Sequence, residues 1–97
     1  MKGYWIVIGT AISDQEAQAD YGRLWKPIAE KYQAKLNPLK TAPALLEERD
    51  ANRVTIVEFP SYAIARACYD DPAYAEAKAF ALKASKRELL VVEGDLV

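Results

Sequence analysis

Glu58 is the residue in this sequence best placed to do chemistry. It sits inside "VTIVEFPS", residues 54–61, where Val54, Thr55, Ile56, Val57 and Phe59 otherwise read as one apolar strand. A carboxylate among buried neighbours has to be hydrated, paired or protonated, because burying it bare costs far more than a small domain can spare. Two roles meet that demand. One is a general base or ligand-binding carboxylate with a raised pKa. The other is a structural acceptor at a strand end, bonded to a tyrosine hydroxyl, an arginine or the amides that open the next helix. Val54, Ile56 and Glu58 share one face of the strand, and Thr55, Val57 and Phe59 share the other. Both faces carry apolar neighbours, so Glu58 is expected to be at least half buried and hydrogen-bonded in either role.

The remaining candidates are weaker. Among six tyrosines, Tyr4, Tyr21, Tyr69 and Tyr74 are candidates to line a polar-tipped pocket for a small organic molecule, although half-buried packing is the commoner use of tyrosine. Cys68 is the single cysteine and falls on the inner face of a helix with no histidine to activate it, so an inert thiol is expected. Asp70 and Asp71 lack calcium-loop spacing and read as helix-capping residues. The chain has no histidine, which removes Ser–His and Cys–His nucleophiles, histidine metal ligands and a proximal haem histidine. Only four glycines occur, with no dinucleotide or P-loop pattern. No metal and no organic cofactor are expected.

Composition narrows the class of protein. A chain of 97 residues is expected to form one domain over its whole length, 1–97. Thirteen basic and fourteen acidic residues nearly cancel, so no basic surplus points to nucleic acid or an anionic membrane surface. One cysteine allows no internal disulfide, which makes a reducing cytoplasm the expected compartment. No stretch approaches the ~18–20 apolar residues of a membrane span.

These candidates need elements to position them. "YWIVIGT", Tyr4 to Thr10, reads as a buried strand. Ser13 and Glu16 match a capping box. Tyr21, Leu24, Trp25, Ile28 and Tyr32 then recur at helical spacing, with Pro27 predicting a kink or a fresh start. "AKLNPLKTAPALLEE" carries two prolines and is limited to an irregular edge strand. Arg53 to Phe59 forms the next strand, Ser61 caps a short helix to about Tyr69, and Asp71-Pro72 starts another helix. "ELLVVE", Glu88 to Glu93, is the last strand. The order β-α-β-β-α-β is the split βαβ, ferredoxin-like plan of an α+β protein, with sheet order 4-1-3-2. This order brings Glu58 and Glu93 to the strand end where Tyr4 and Trp5 begin. The two carboxylates are roughly 10 Å apart, two strand spacings.

The stretch "RVTIVEFPSYAIARACYDDPAYAEAKAFA", Arg53 to Ala81, resembles the core of domain-of-unknown-function family 1330. The resemblance rests on Glu58, Phe59, Pro60, Ser61, Tyr69, Asp71, Pro72 and Tyr74, and more loosely on Tyr4, Tyr21, Pro27 and Lys31-Tyr32. This chain departs from the pattern where Cys68 replaces a usual tryptophan and where Gln33-Ala34 follows "KY" in place of glycine. If that tryptophan lines a pocket in relatives, the pocket here is wider or differently shaped. The resemblance implies a dimeric α/β barrel in which two ferredoxin-like sheets pack face to face. It implies no established activity. The expected protein is a small cytoplasmic homodimer that binds a small organic molecule between sheet and helices. The alternative is a cofactor-independent isomerase or monooxygenase with Glu58 as acid or base. Tyr4, Ile6 and Ile8 lie on one face of the first strand and Trp5 and Val7 on the other; helices can cover only one of these apolar faces, and the face left open is what calls for the second subunit.

Overall fold

β1 (Gly3–Gly9) runs through the middle of the sheet, antiparallel to both neighbours. In this computed structural model, which describes residues 1–97, the further elements are α1 (Gln15–Tyr32), β2 (Lys35–Leu36), β3 (Arg53–Phe59), α2 (Tyr62–Asp70), α3 (Pro72–Ala84) and β4 (Arg87–Glu93). The strand order is β2-β3-β1-β4, which is the predicted α+β, ferredoxin-like arrangement. The edge strand beside β3 is only two residues long, because Asn37 turns away with a positive φ and Pro38 follows. No helix is long and apolar enough to cross a membrane.

Strand alternation divides the side chains between two surfaces. Trp5, Val7, Val57, Phe59, Leu89 and Val91 point to the helices, while Tyr4, Ile6, Ile8, Ile56, Glu58, Leu90 and Val92 point the other way. The helix side is the core. Trp5 and Phe59 pack there against Trp25 and Ile28 of α1, Ala65 and Cys68 of α2, and Tyr74 and Ala77 of α3. α3 buries Tyr74, Ala77, Ala81 and Ala84, a stripe of mostly small side chains at helical spacing that lets α1 lie close along it.

Close approach requires a glycine at position 3 and favours one at position 9. A Cβ on Gly3 would lie 2.6 Å from the Ser61 carbonyl oxygen and from Tyr62 Cα, so α2 starts directly over β1. A Cβ on Gly9 would lie 3.2 Å from Arg87 Cβ and 3.3 Å from both the Arg53 guanidinium and the Lys86 carbonyl oxygen, a tight fit that needs these neighbours to give by a few tenths of an ångström.

One local expectation is corrected, and one of the two alternatives at Pro27 is removed. α1 is capped by Asp14, whose carboxylate accepts from the Ala17 amide at 2.9 Å, and not by the Ser13–Glu16 pair. Ser13 instead uses its hydroxyl and its amide on the Ala84 carbonyl, tying α1 to the end of α3. Pro27 does not restart the helix. It is exposed, so the bond it forfeits is on the solvent side, while Ala17, Trp25 and Ile28 hold the other face down. α1 ends on Gln33 at φ 55°, the left-handed position where the resemblance placed glycine, at a cost of about 1 kcal/mol.

The other caps stand as read. Ser61 Oγ accepts from the Ile64 amide at 3.1 Å, and Asp71 accepts from the Ala73 amide at 2.8 Å with Pro72 in the first turn. Asp71 also accepts from the Tyr32 hydroxyl and from Lys31 Nζ, so one carboxylate joins the end of α1 to the start of α3. The Tyr32 hydroxyl, then the Ala73 amide and Lys31, hold its carboxyl down to about 2. A depressed folded pKa contributes stability that is whole above the ordinary carboxylate range and is lost as pH falls toward 2. Asp71→Asn should therefore melt below the parent at neutral pH, and the gap should close between about pH 4 and pH 2. Parallel melting curves across that window would show that the carboxylate's charge contributes nothing.

Candidate functional site

Trp5 is the centre of an aromatic cluster under the helices. Its ring centroid lies 4.9 Å from Phe59, 5.0 Å from Tyr74, 5.6 Å from Trp25 and 6.0 Å from Tyr69. The indole N–H donates to the Ala65 carbonyl at 3.0 Å, which fixes the ring and leaves it no free donor. Tyr74 is fully buried, accepts from Arg87 at 2.7 Å and shares a 3.2 Å bond with the Tyr21 hydroxyl. Burial pushes the Tyr74 phenol well above the ordinary tyrosine range, so it is a fixed neutral group. The Arg87 guanidinium covers the face of Tyr21 at 5.2 Å.

Beside this cluster a cleft of about 240 Å³ opens between α2 and β4. Trp5, Tyr69, Leu89, Val91 and Arg66 line it. Four of the five are apolar or aromatic, and Arg66 is the single charge. Tyr69 is held at the rim by Lys78, whose ammonium lies 4.9 Å above the ring and donates to the hydroxyl at 3.4 Å. Cys68 is buried behind the cleft and does not line it, and burial pushes its thiol up to about 12, which keeps it unreactive. Two broader grooves exist. One, near residues 45–51, mixes Glu47, Glu48 and Asp50 with Arg49 and Lys86. The other lies between α1 and β2. Neither combines an apolar floor with a charge of one sign.

Glu58 lies on the opposite side of the sheet. It is 6 % exposed, and its Oε1 accepts from Lys2 Nζ at 3.1 Å and from the Tyr4 hydroxyl at 3.3 Å. Tyr4 in turn accepts from the Leu96 amide at 3.1 Å. The tail is pinned by Gly94 N–H to the Lys2 carbonyl and by Lys2 N–H to Asp95, both at 2.9 Å, and so Tyr4 is sealed. The expectation of a buried, hydrogen-bonded Glu58 with a tyrosine partner holds, with a lysine where an arginine was one option.

The predicted site residues therefore fall into two groups. Tyr21, Tyr69 and Tyr74 gather in the aromatic cluster beneath the helices. Tyr4 and Glu58 gather on the other face. Glu93 pairs with Gly3 while Glu58 pairs with Tyr4, which puts the two carboxylates on opposite faces. Sequence reasoning missed Lys2, Arg66 and Arg87. Lys2 stands two residues before Tyr4, and that period of two was the available signal. Arg66 and Arg87 had none, since their roles depend on which ring each happens to cross.

A four-stranded antiparallel sheet with helices on one face, and a small apolar cleft beneath them, defines a ferredoxin-like α+β protein. The profile of the family described as domain of unknown function (DUF1330) matches residues 2–95. The chain belongs to that family. No functionally curated protein matches it. Among solved structures, it is similar to a protein of unknown function from Rhodopseudomonas palustris, with 21% identity over 99% of this chain and 84% of that one, at a TM-score of 0.66. It is similar to a mutant of SnoaB, a cofactor-independent oxygenase from Streptomyces nogalater, with 13% identity over 99% and 95% of the two chains and a TM-score of 0.66. A dimeric protein of unknown function with a ferredoxin-like fold from Bacteroides fragilis has 14% identity, 96% coverage of each chain and a TM-score of 0.54.

Proposed function

We propose that this protein is a cytoplasmic homodimer that pairs through its open sheet face and binds a small organic molecule in the cleft between sheet and helices. The observation that carries the binding reading is the cleft itself: an apolar floor of Trp5, Leu89 and Val91, an aromatic rim at Tyr69 and one polar group. Apolar clefts with few polar groups are the usual form of small-molecule sites. A cavity of about 150 Å³ already takes benzene, so this one suits a molecule of one or two rings. The dimeric Bacteroides fragilis protein supports pairing by likeness of fold. Acid–base chemistry by Glu58, on the pattern of a cofactor-independent isomerase or oxygenase, is the second reading. The SnoaB resemblance favours it through the fold alone, and Glu58 is separated from the cleft by the sheet.

A thermal-shift screen against small aromatic and carbonyl compounds tests the proposal. A ligand at a hundredfold excess over its dissociation constant stabilises by about 2.7 kcal/mol, enough for a shift of several degrees. At least one compound class should produce it, and Leu89→Trp, which fills the cleft, should abolish it. A screen with no shift, or shifts unchanged in Leu89→Trp, would overturn the assignment.

A further inference from the structure

We infer that the cleft takes an organic acid: a flat, apolar molecule of one or two rings bearing a carboxylate. This inference rests on the binding reading above and adds the chemical class of the ligand.

The chain leaves several of its cations without carboxylate partners. Its ion pairs are Lys2–Glu58, Arg23–Asp20 and Lys31–Asp71. Arg66, Lys78 and Arg87 belong to none of them. Each instead lies over a tyrosine ring: Arg66 over Tyr62 at 6.0 Å, Lys78 over Tyr69 at 4.9 Å and Arg87 over Tyr21 at 5.2 Å. Three cations without carboxylate partners thus surround the aromatic cluster. No acidic side chain lines the cleft. Asp70 stands one helical turn from Arg66 but outside ion-pair distance.

Arg66 is the group that meets a ligand. One of its N–H groups donates to the Tyr62 hydroxyl at 3.1 Å. A guanidinium has five N–H donors, so most of the fork is free, and its planar geometry matches a carboxylate. In the rest of the lining the Trp5 N–H is already taken by Ala65, and the Tyr69 hydroxyl, which accepts from Lys78, adds one neutral O–H donor beside the charged fork.

The alternatives fit less well. A quaternary ammonium would seek open aromatic faces, yet Tyr69 already carries the protein's own cation, and Arg66 would repel a second one. A neutral ring compound would occupy the floor and leave Arg66 unused. An anion alone would gain nothing from Trp5, Leu89 and Val91. A ring with a carboxylate uses both parts of the site.

The test is isothermal titration calorimetry of the full chain with naphthoate and its neutral isostere, naphthamide. Naphthoate should bind at least about tenfold tighter, in line with a charge-assisted bond in place of a neutral one. Arg66→Gln changes an exposed side chain, so the fold should survive, and it should bring the two affinities within about threefold. If naphthamide binds as tightly as naphthoate, or if the preference survives in both Arg66→Gln and Lys78→Gln, the assignment of an acid is wrong while the cleft remains a binding site. If neither compound binds, both the acid and the binding reading fall.

Discussion

Gly3→Ala is expected to lower the melting temperature by roughly 10 °C or more, an unusual loss for one added methyl. The three nearest atoms to that methyl are the Ser61 carbonyl oxygen and Tyr62 Cα at 2.6 Å and the Tyr62 amide nitrogen at 2.7 Å. All three are backbone, so no side chain can swing aside. The start of α2 would have to lift from β1, and with it the Ser61 cap and the Ala65 carbonyl that holds the Trp5 indole. Overpacking of this kind costs about 1–3 kcal/mol, and each kcal/mol moves the midpoint by about 4–8 °C in a domain of this size. Gly22→Ala is the control. Gly22 is exposed in α1 with nothing within 4 Å of the added carbon, and alanine there should raise the midpoint by a few degrees. A Gly3→Ala protein that melts within two degrees of the parent would refute the close seating of α2 on β1.

The second large effect is expected in solution mass. Light scattering should give twice the 10.8 kDa chain mass at micromolar concentration, and Leu90→Glu should return the monomer. The reason is the sheet face that the helices leave uncovered. Ile6, Ile8, Val54, Leu90 and Val92 lie on it only partly buried, and Leu90 is 44 % exposed. An apolar surface of this extent marks an interface, and a stable pair needs about 800 Å² from each partner. Leu90 is chosen because the protomer does not bury it, so glutamate there should leave the fold intact while setting two carboxylates in an apolar interface. A parent protein with the mass of a single chain would end the dimer proposal.

Much of the fold was legible in the sequence because the deciding signals are local. Ser61 and Asp71-Pro72 announce helix starts within three residues of themselves, and β1, β3 and β4 are short apolar runs with clear ends. Ser13 misled because its hydroxyl has a distant use: it serves the Ala84 carbonyl, a contact that no local pattern encodes. Pro27 left a kink and a fresh start both open, because a proline's cost depends on which side of the helix it falls. The candidate site was less legible. Strand alternation separates Tyr4 from Trp5, but which of the two meets the helices depends on packing 60 residues further on, at Ala65. The four tyrosines were therefore read as one group although the sheet divides them. Glu58 was legible as a buried acceptor, since an acid in an apolar strand must find donors; its lysine was not.

The place of β1 at the centre of the sheet also dictates an order of assembly. β1 is made before both of its neighbours, residues 53–59 and 87–93. On a ribosome the strand has no partner until Phe59 has been made, and it gains its second only with Glu93. Before Phe59 is made, Trp5, the hub of the aromatic cluster, has nothing to pack on except α1. Contacts separated by more than 80 residues close late and slowly, because loop entropy must be lost before they form. The nascent chain therefore carries an unpaired, strongly apolar strand until Phe59 is made, the kind of segment that recruits a chaperone or a neighbouring chain.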